Sequence, residues 1–346
     1  MKMRRLMFFN PEDVRIVETD VPKAKAGEIV IKNKATLTCG TDVKTYKRGY
    51  RLEPPFCMGH ECSGVVYEVG EGVTKFKVED RVVAHNSAPC NECYYCKKGF
   101  HSMCVDLIEN QFINGGYSEY QLIPARIVNQ NTFKLPDDMS YKQAALTEPL
   151  ACAVYGTSQV PIDIGDTIVV NGCGPIGLMF IRMSYLRGAR VIACDMSANR
   201  LELAKKLGAQ ETVNIKEVKD QTQAVRDLTE DSRGVDIAIE AVGLPEVWTM
   251  AINMVRKGGT VLCFGGTKKG LEIGLDTTKL HYDQITIKGV FHTTPLYVNA
   301  AFEMLKIKAI DEKDFIGNEY GLQDAEKAII EHAKGTVIKN CIVYND

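Results

Sequence analysis

The chain has 346 residues, of which 45% are hydrophobic and 25% charged, which is the composition of a folded globular protein with room for about two domains. Its 42 basic and 44 acidic side chains leave a net charge of −2, so no general attraction for nucleic acid or an anionic membrane is expected. No apolar run is long enough for a membrane span or a signal peptide, and we expect a cytoplasmic protein.

The first 150 residues are predicted to be β-rich. Short apolar segments separated by glycine, proline and aspartate predict strands at 28–32, 64–70 and 81–84. After about residue 160 the pattern changes to a repeated strand, glycine turn and helix, which is typical of βαβ units around a parallel sheet. The strands predicted there lie at 168–170, 191–194, 236–239 and 260–264, and the helices at 176–187 and 198–207.

The predicted fold class is α/β, with two domains. We expect a β-rich domain formed by residues 1–151 and 293–346, and an α/β domain formed by residues 152–292. The tail contains a helix predicted at 297–307 and otherwise fits neither pattern. The apolar segment at 284–291 is predicted to be a late strand of the parallel sheet. If that strand lies at the sheet edge, a partner subunit is expected to cover it.

A glycine-rich turn follows the strand predicted at 168–170. The sequence Gly-Cys-Gly-Pro-Ile-Gly is G-x-G-x-x-G at the start of a helix, which lets the backbone approach a pyrophosphate. The next strand ends in Asp195, whose carboxylate can accept from a ribose hydroxyl and repel a 2′-phosphate, so NAD is predicted over NADP. Arg200 lies nearby and favours the opposite choice, unless it is a solvated helix residue. A turn without a ligand is the alternative. The candidate cofactor residues are Gly172, Gly174, Pro175, Ile176, Gly177, Asp195 and Arg200.

Cys90, Cys93, Cys96 and Cys104 form the pattern C-x₂-C-x₂-C-x₇-C. Four thiolates at this spacing can enclose one tetrahedral ion and leave no position for substrate, so the lobe at about 88–106 is predicted to hold a structural zinc. An iron–sulfur cluster is disfavoured because neither common ferredoxin spacing is matched. Empty or disulfide-bonded cysteines are the remaining alternative.

A second, open metal site is predicted in the β-rich domain. Cys39 lies in a Thr-Cys-Gly-Thr-Asp segment, and His60 and Glu61 lie in Gly-His-Glu. A thiolate and an imidazole are zinc ligands, and the adjacent carboxylate can be a third ligand or orient the others. Each residue alone is more often an ordinary core residue, so the prediction depends on their combination.

The chain resembles the zinc-dependent medium-chain alcohol dehydrogenases over nearly its whole length, and within them the sorbitol (polyol) and threonine dehydrogenase branch. The motifs that carry the resemblance are Cys39-Gly40-Thr41-Asp42, Gly59-His60-Glu61-x-x-Gly64, the four-cysteine segment, Gly115-Gly116-Tyr117-Ser118-Glu119-Tyr120, Glu148-Pro149-Leu150 and the glycine turn. The resemblance implies a GroES-like catalytic domain and a Rossmann domain with a doubly wound parallel sheet. It also implies Cys39, His60 and Glu61 at a catalytic zinc, with Glu148 ligating directly or through water.

The expected reaction is the reversible oxidation of a secondary alcohol of a polyol, sugar alcohol or cyclitol to a ketone, with NAD and two zinc ions per chain, one catalytic and one structural. Thr41 is the candidate proton acceptor, and Glu61 and Glu148 are further catalytic candidates. The alternatives are a sugar-phosphate alcohol, favoured by the cations at 44–51, an amino alcohol such as L-threonine, or nucleotide binding without catalysis. Family members are homodimers or homotetramers, and no nucleic-acid or membrane partner is expected.

Three positions depart from the residues usual in the family. Lys44 stands where many relatives have a histidine that passes the proton to solvent, which leaves the relay beyond Thr41 unassigned. Tyr155 stands where polyol dehydrogenases commonly have histidine, which bears on the pocket wall. Glu79 stands where glycine is usual, and we interpret it as a turn detail.

Overall fold

The computed structural model describes residues 1–50, 52–107 and 115–344. Arg51, one of the cations that favour the sugar-phosphate alternative unless they lie on a solvated surface loop, lies outside these ranges. The chain divides into two compact units, one formed by Met1–Ala151 with Thr293–Asp346 and the other by Cys152–His292. Across the described ranges, no helix combines the length and the apolar character that a membrane crossing requires.

The strands, numbered along the chain, are β1 (Lys2–Asn10), β2 (Asp13–Asp20), β3 (Ile29–Leu37), β4 (Phe56–Cys57), β5 (Glu61–Val69), β6 (Arg81–Ala84), β7 (Tyr120–Ile123), β8 (Thr132–Lys134), β9 (Thr167–Asn171), β10 (Arg190–Asp195), β11 (Ala209–Asn214), β12 (Val235–Glu240), β13 (Val255–Cys263), β14 (Thr286–Gly289), β15 (Ile316–Gly321) and β16 (Lys339–Val343). The α-helices are α1 (Gly40–Arg48), α2 (Tyr94–Lys97), α3 (Ala125–Gln130), α4 (Tyr141–Ala145), α5 (Thr147–Ser158), α6 (Pro175–Leu186), α7 (Ala198–Lys206), α8 (Gln221–Asp227), α9 (Pro245–Met254), α10 (Thr277–Tyr282), α11 (Pro295–Lys306), α12 (Glu312–Phe315) and α13 (Ala325–Lys334).

The first unit is built on a seven-stranded sheet with the order β15-β16-β3-β5-β6-β8, in which β7 also pairs with β3. A smaller sheet has the order β2-β1-β4. The β-rich prediction is confirmed, and the tail contributes β15 and β16. β3 continues past its predicted end because its polar residues are satisfied inside the unit: the Asn33 amide donates to the carbonyls of Gly116 and Ser118.

Glu79 occupies a turn just before β6. Its φ of 72° lies in the left-handed region that favours glycine, and its backbone N–H donates to the Val66 carbonyl over 2.9 Å. The interpretation of this position as a turn detail is therefore confirmed.

The second unit is a six-stranded parallel sheet with the order β11-β10-β9-β12-β13-β14. β9, β10, β12, α6 and α7 lie where the sequence predicts them, because the apolar runs that contain Val169 and Val261 form the buried core. β13 begins at Val255 rather than at 260, and β11, α8, α9 and α10 are not among the predicted elements. The strand order reverses between β9 and β12, which is where a ligand binds in sheets of this type. β14 is an edge strand and is shorter than predicted, because Gln284 has a φ of 51° and interrupts the extended backbone.

Candidate functional site

Two neighbouring strands bring Cys39, His60 and Glu61 together. β3 and β5 are antiparallel with Leu37 opposite Glu61, so the chain leaving β3 runs beside the chain entering β5. Cys39 follows the end of β3, and His60 directly precedes β5. One ligand atom from each of the three side chains lies within 4.8 Å of the other two. The three residues therefore form one cluster of a sulfur, an imidazole and a carboxylate.

Asp42 orients two members of this cluster. Cys39 is the N-cap of α1, and its backbone N–H donates to Asp42 Oδ2 over 2.8 Å. The same oxygen accepts the Tyr117 hydroxyl over 2.8 Å, and Asp42 Oδ1 lies 3.7 Å from His60 Nδ1. Asp42 is buried, so this arrangement is held away from water. Asp42 is not among the site residues predicted from sequence, although its position three residues after Cys39 is recognisable as that of a capping box.

Glu61 forms a buried ion pair with Lys339, which the sequence analysis does not predict. Both carboxylate oxygens lie 2.7 Å from the Lys339 ammonium, which also donates to the Thr38 carbonyl over 3.0 Å. Lys339 is 1% exposed and Glu61 is fully buried. Although burial lowers the pKa of Lys339, the charges of Glu61 and Cys39 raise it above its usual value. No local pattern could have shown this pair, because the two residues are 278 positions apart.

Glu148 lies in the first turn of α5 and is buried. The Asn86 amide donates to Glu148 Oε1 over 3.1 Å, and His85 Nε2 lies 3.9 Å from the same oxygen. Burial raises the pKa of Glu148 to about 7, against the opposing effect of His60. The Glu148 carboxylate is not part of the 4.8 Å cluster formed by Cys39, His60 and Glu61.

The charges around His60 favour a bound cation. Burial lowers the pKa of His60, but Cys39, Asp42 and Glu148 together raise it well above the usual value. A site that holds a proton on His60 so strongly is rich in negative charge. Zinc binds donors of the types present here, which are a thiolate, an imidazole and a carboxylate. These residues therefore fit a zinc ion. Thr41 and Lys44 lie on the exposed side of α1, next to this cluster in sequence.

The four predicted cysteines of the lobe also form one cluster. Cys90, Cys93, Cys96 and Cys104 have sulfurs within 4.8 Å of one another, and the Cys90 and Cys96 sulfurs are 3.9 Å apart. A disulfide would place sulfurs about 2 Å apart, whereas four sulfurs around one zinc are separated by roughly 3.8 Å. Backbone N–H groups of Cys96 and Val105 lower the pKa of Cys93 to about 6, which favours a thiolate there, whereas burial raises the pKa of Cys96 and of Cys104. The lobe therefore fits a closed zinc site.

The glycine turn has the geometry of an anion cradle at the start of α6. Gly172 has a φ of 96°, and a Cβ at Gly177 would stand 1.8 Å from the Gly172 carbonyl oxygen, so neither position accepts a side chain. Gly174 caps α6, and a Cβ there would meet no atom within 4 Å. Pro175 and Ile176 open the helix behind it. The turn thus leaves space for a phosphate at the helix N-terminus, as a dinucleotide requires.

Asp195 stands at the end of β10, beside this turn. Its Oδ2 accepts the Cys173 N–H over 2.7 Å, and its Oδ1 accepts the Ser197 N–H over 2.9 Å. These bonds hold the carboxylate where the sequence predicts a ribose contact. Arg200 is half-buried on α7 and acts on Cys173 by its charge, so it belongs to the same corner of the sheet.

Comparison with known proteins supports this assignment of chemistry. Two protein-family models match the chain. The family described as alcohol dehydrogenase GroES-like domain matches residues 25–137, and the family described as zinc-binding dehydrogenase matches residues 175–307. Sorbitol dehydrogenase of Bacillus subtilis (strain 168) is 32% identical over 334 residues, which cover 94% of this chain and 92% of that one. L-threonine 3-dehydrogenase of Pyrococcus furiosus is 37% identical over 271 residues, 76% of each chain.

A solved structure has the same fold over almost the full length. A zinc-binding dehydrogenase from Sinorhizobium meliloti 1021, solved with NADP, has a TM-score of 0.92 and 25% identity, covering 99% of this chain and 100% of that one. The two-domain α/β fold and the predicted resemblance are confirmed, and zinc and a nicotinamide cofactor are supported. The chain belongs to the polyol branch of the zinc-dependent medium-chain dehydrogenases.

Proposed function

We propose that this chain is a zinc- and NAD-dependent dehydrogenase that oxidises a secondary hydroxyl of a polyol, sugar alcohol or cyclitol to a ketone. The observation that carries the proposal is the cluster of Cys39, His60 and Glu61. The same chain holds an open dinucleotide turn around Gly174, so both reactants of a hydride transfer have a site. The sorbitol dehydrogenase relative supports the polyol class.

Cys39, His60 and Glu61 are the proposed ligands of the catalytic zinc, with Glu148 completing the set directly or through water. When bound, zinc stabilises negative charge on a substrate oxygen, and NAD accepts the hydride. Carboxylate donors make this set harder and more exchangeable than the four sulfurs proposed to hold the structural zinc at Cys93 and its neighbours. Asp42 would keep Cys39 and His60 in place while ligands exchange.

Thr41 is proposed to hydrogen-bond the substrate oxygen and to pass its proton outward, releasing its own hydroxyl proton as it accepts one. It lies in the first exposed turn of α1, two positions after Cys39. Lys44 lies one turn further along the helix surface, at the spacing where side chains are neighbours. A lysine ammonium offers hydrogen-bond donors only, so a relay from Thr41 would continue through water rather than through Lys44.

The proposed cofactor is NAD. The Asp195 carboxylate, held by two backbone N–H groups, would accept a ribose hydroxyl and repel a 2′-phosphate. Arg200 and the NADP in the Sinorhizobium meliloti relative favour the alternative. Measuring kcat/KM with both cofactors decides the matter, and a preference for NADP would overturn this assignment.

We also propose a homodimer or homotetramer in the cytoplasm. Among the strands of the described residues, β14 is one of the two edges of the six-stranded sheet. Thr286 and Lys288 on it are exposed, and exposed Tyr282 and Phe291 flank it. A second copy pairing along this edge would protect it. None of the twelve cysteines forms a disulfide, in keeping with a reducing compartment. A monomeric mass at micromolar concentration by light scattering would contradict the oligomer.

Two alternative substrates have an observation in their favour. The identity to L-threonine 3-dehydrogenase favours an amino alcohol. The exposed face of α1 carries Lys44, Lys47 and Arg48 on the helix that begins beside Cys39, which favours a sugar phosphate. Screening each polyol with its phosphate, together with L-threonine, separates the three. A polyol turned over with the highest kcat/KM supports the proposal.

Point variants test the metal centre itself. Cys39→Ser and His60→Ala should abolish turnover while NADH binding, measured by fluorescence, is unchanged. Cys57→Ala, a buried cysteine outside the cluster, is the matched control and should keep its activity. Activity near wild type in Cys39→Ser or His60→Ala would contradict the proposed centre.

A further inference from the structure

A fully buried carboxylate lies at the carboxyl end of β12. Glu240 is the last residue of that strand and is 0% exposed. Its Oε1 accepts the backbone N–H groups of Val242 and Gly243, over 2.7 and 2.6 Å. Burial raises the pKa of Glu240, and the N–H groups of Gly243, Val242 and Gly265 oppose that effect. A buried acid at the end of a strand thus fixes the turn that follows it.

The neighbouring turn after β13 is packed against the same carboxylate. The Gly265 N–H donates to the Glu240 carbonyl over 3.1 Å. A Cβ at Gly265 would stand 2.2 Å from the Gly243 nitrogen and 2.7 Å from Glu240 Oε2. A Cβ at Gly243, whose φ is 85°, would stand 2.6 Å from the Gly266 carbonyl oxygen. Glu240 therefore holds two loops together, and their glycines allow the close approach.

These loops lie on one side of the point where the strand order reverses. β12 pairs with β9, and a Cβ at Gly172 of the phosphate turn would stand 2.7 Å from Val242 Cγ2. A dinucleotide crosses such a reversal point, with its adenosine ribose at the acid that ends the second strand, which here is Asp195 on β10. The other half of the dinucleotide then extends over the ends of β12 and β13.

We propose that Glu240 is a positioning residue for the nicotinamide ring of the cofactor. This inference rests on the proposed function in one respect, namely that the second unit binds a nicotinamide dinucleotide. Glu240 does not contact the cofactor itself. It fixes the backbone of Val242 and Gly243 and packs against Gly265, and these residues border the space into which the nicotinamide ring extends. Without the carboxylate, the N–H groups of Val242 and Gly243 lose their acceptor, while the Gly265 N–H keeps its bond to the Glu240 main-chain carbonyl.

The test compares two ligands that differ only in the nicotinamide ring. NADH and ADP-ribose share the adenosine, the pyrophosphate and the second ribose. A defect confined to the nicotinamide end of the site therefore weakens the binding of NADH more than the binding of ADP-ribose. In Glu240→Ala the dissociation constant for NADH should rise about tenfold or more, as expected for lost charge-assisted hydrogen bonds, while that for ADP-ribose changes less than about threefold. Calorimetric titration measures both without turnover.

Asp236→Ala is the matched control. Asp236 lies on the same strand and also accepts a backbone N–H, that of Thr167 over 2.7 Å, but at the opposite end of the strand. It should lower thermal stability and leave both affinities unchanged. Glu240→Gln keeps an oxygen acceptor and should restore NADH binding to within about threefold of wild type. If Glu240→Ala does not fold, Gly265→Ala disturbs the same contact from the other loop and should give the same split.

If Glu240→Ala loses affinity for NADH and ADP-ribose equally, or loses affinity for neither, this inference is overturned and the proposed function is left intact. Absence of NADH, NADPH and ADP-ribose binding in the wild-type protein refutes the proposed cofactor site, and the inference with it.

Discussion

Replacing Lys339 by methionine removes the only charge that pairs directly with the buried carboxylate of Glu61 among the described ion pairs. The Lys339 ammonium donates to the two Glu61 oxygens and to the Thr38 carbonyl. The side chains of Lys339 and Glu61 are almost completely buried. Methionine fills similar space without charge, so the variant leaves the buried Glu61 carboxylate without its hydrogen-bonded cation, although the charge of His60 still acts on it. Breaking a buried pair in this way costs about 3–5 kcal/mol of unfolding free energy.

The assay is thermal unfolding of chelator-treated protein, so that zinc contributes nothing to either state. At about 2–4 °C per kcal/mol for a unit of this size, the melting temperature of Lys339→Met should fall by about 6–20 °C near pH 8. Burial raises the pKa of Glu61 even with Lys339 in place, and loss of the ammonium raises it further, so the penalty develops as the pH rises above the unfolded value of about 4.3. It should disappear as the pH falls towards 4.3, because the folded protein then protonates Glu61.

Two further variants separate the ion pair from ordinary packing. In Glu61→Gln with Lys339→Met both charges are gone, and most of the lost stability should return, because replacing a whole buried pair is close to neutral. Lys334→Met removes an exposed lysine near the end of α13 and should change stability by less than about 0.5 kcal/mol. The reasoning is refuted if the single variant is as stable as wild type, or if the double variant is no more stable than the single one.

Gly177→Ala should abolish NADH binding, because its Cβ would stand 1.8 Å from the Gly172 carbonyl oxygen, and zinc content measured by mass spectrometry should stay unchanged. Cys93→Ser should reduce zinc from about two ions per chain to about one, because the closed four-sulfur shell loses a ligand. In chelated protein, burial raises the pKa of Glu148 to about 7. As the pH rises, Glu148 therefore loses its proton in the unfolded state before it does so in the folded state, and the free energy of unfolding falls until the pH reaches about 7. Glu148→Gln should therefore reduce the loss of unfolding free energy between pH 5 and 8 by roughly 1–3 kcal/mol. Glu79→Gly should raise stability by up to about 1 kcal/mol in urea unfolding, since φ is 72° there.

Each of these predictions has an opposite outcome. NADH binding by Gly177→Ala would mean that the turn is not the cofactor cradle. Two zinc ions per chain in Cys93→Ser would remove the structural site from the lobe. An unchanged pH dependence in Glu148→Gln would show that the Glu148 carboxylate stays ionised in the fold, and a destabilised Glu79→Gly would mean that the Glu79 side chain stabilises its turn.

Short-range features of this chain could be predicted from sequence because their physics is local. The glycine turn, the start of α6 and Asp195 depend on neighbouring residues of one βαβ unit, and the four cysteines lie within one short segment. The inner strands β9, β10, β12 and β13 could be predicted for the same reason, since a strand buried on both faces contains a continuous apolar run. The edge strands carry polar residues, so β11 is not predicted and β14 is shorter than predicted. Cys39, His60 and Glu61 were found as separate weak signals, and only the resemblance to a family joined them.

The tertiary structure decided what these residues do to one another. The register that sets Leu37 opposite Glu61 turned three separate candidates into one cluster. The same sheet places β16 beside β3, which brings Lys339 against Glu61 from 278 positions away. The anchoring of two loops by Glu240 likewise depends on which strands are neighbours. Pairing and burial of charges depend on desolvation and on contacts between distant segments, and neither is recorded in the local order of residues.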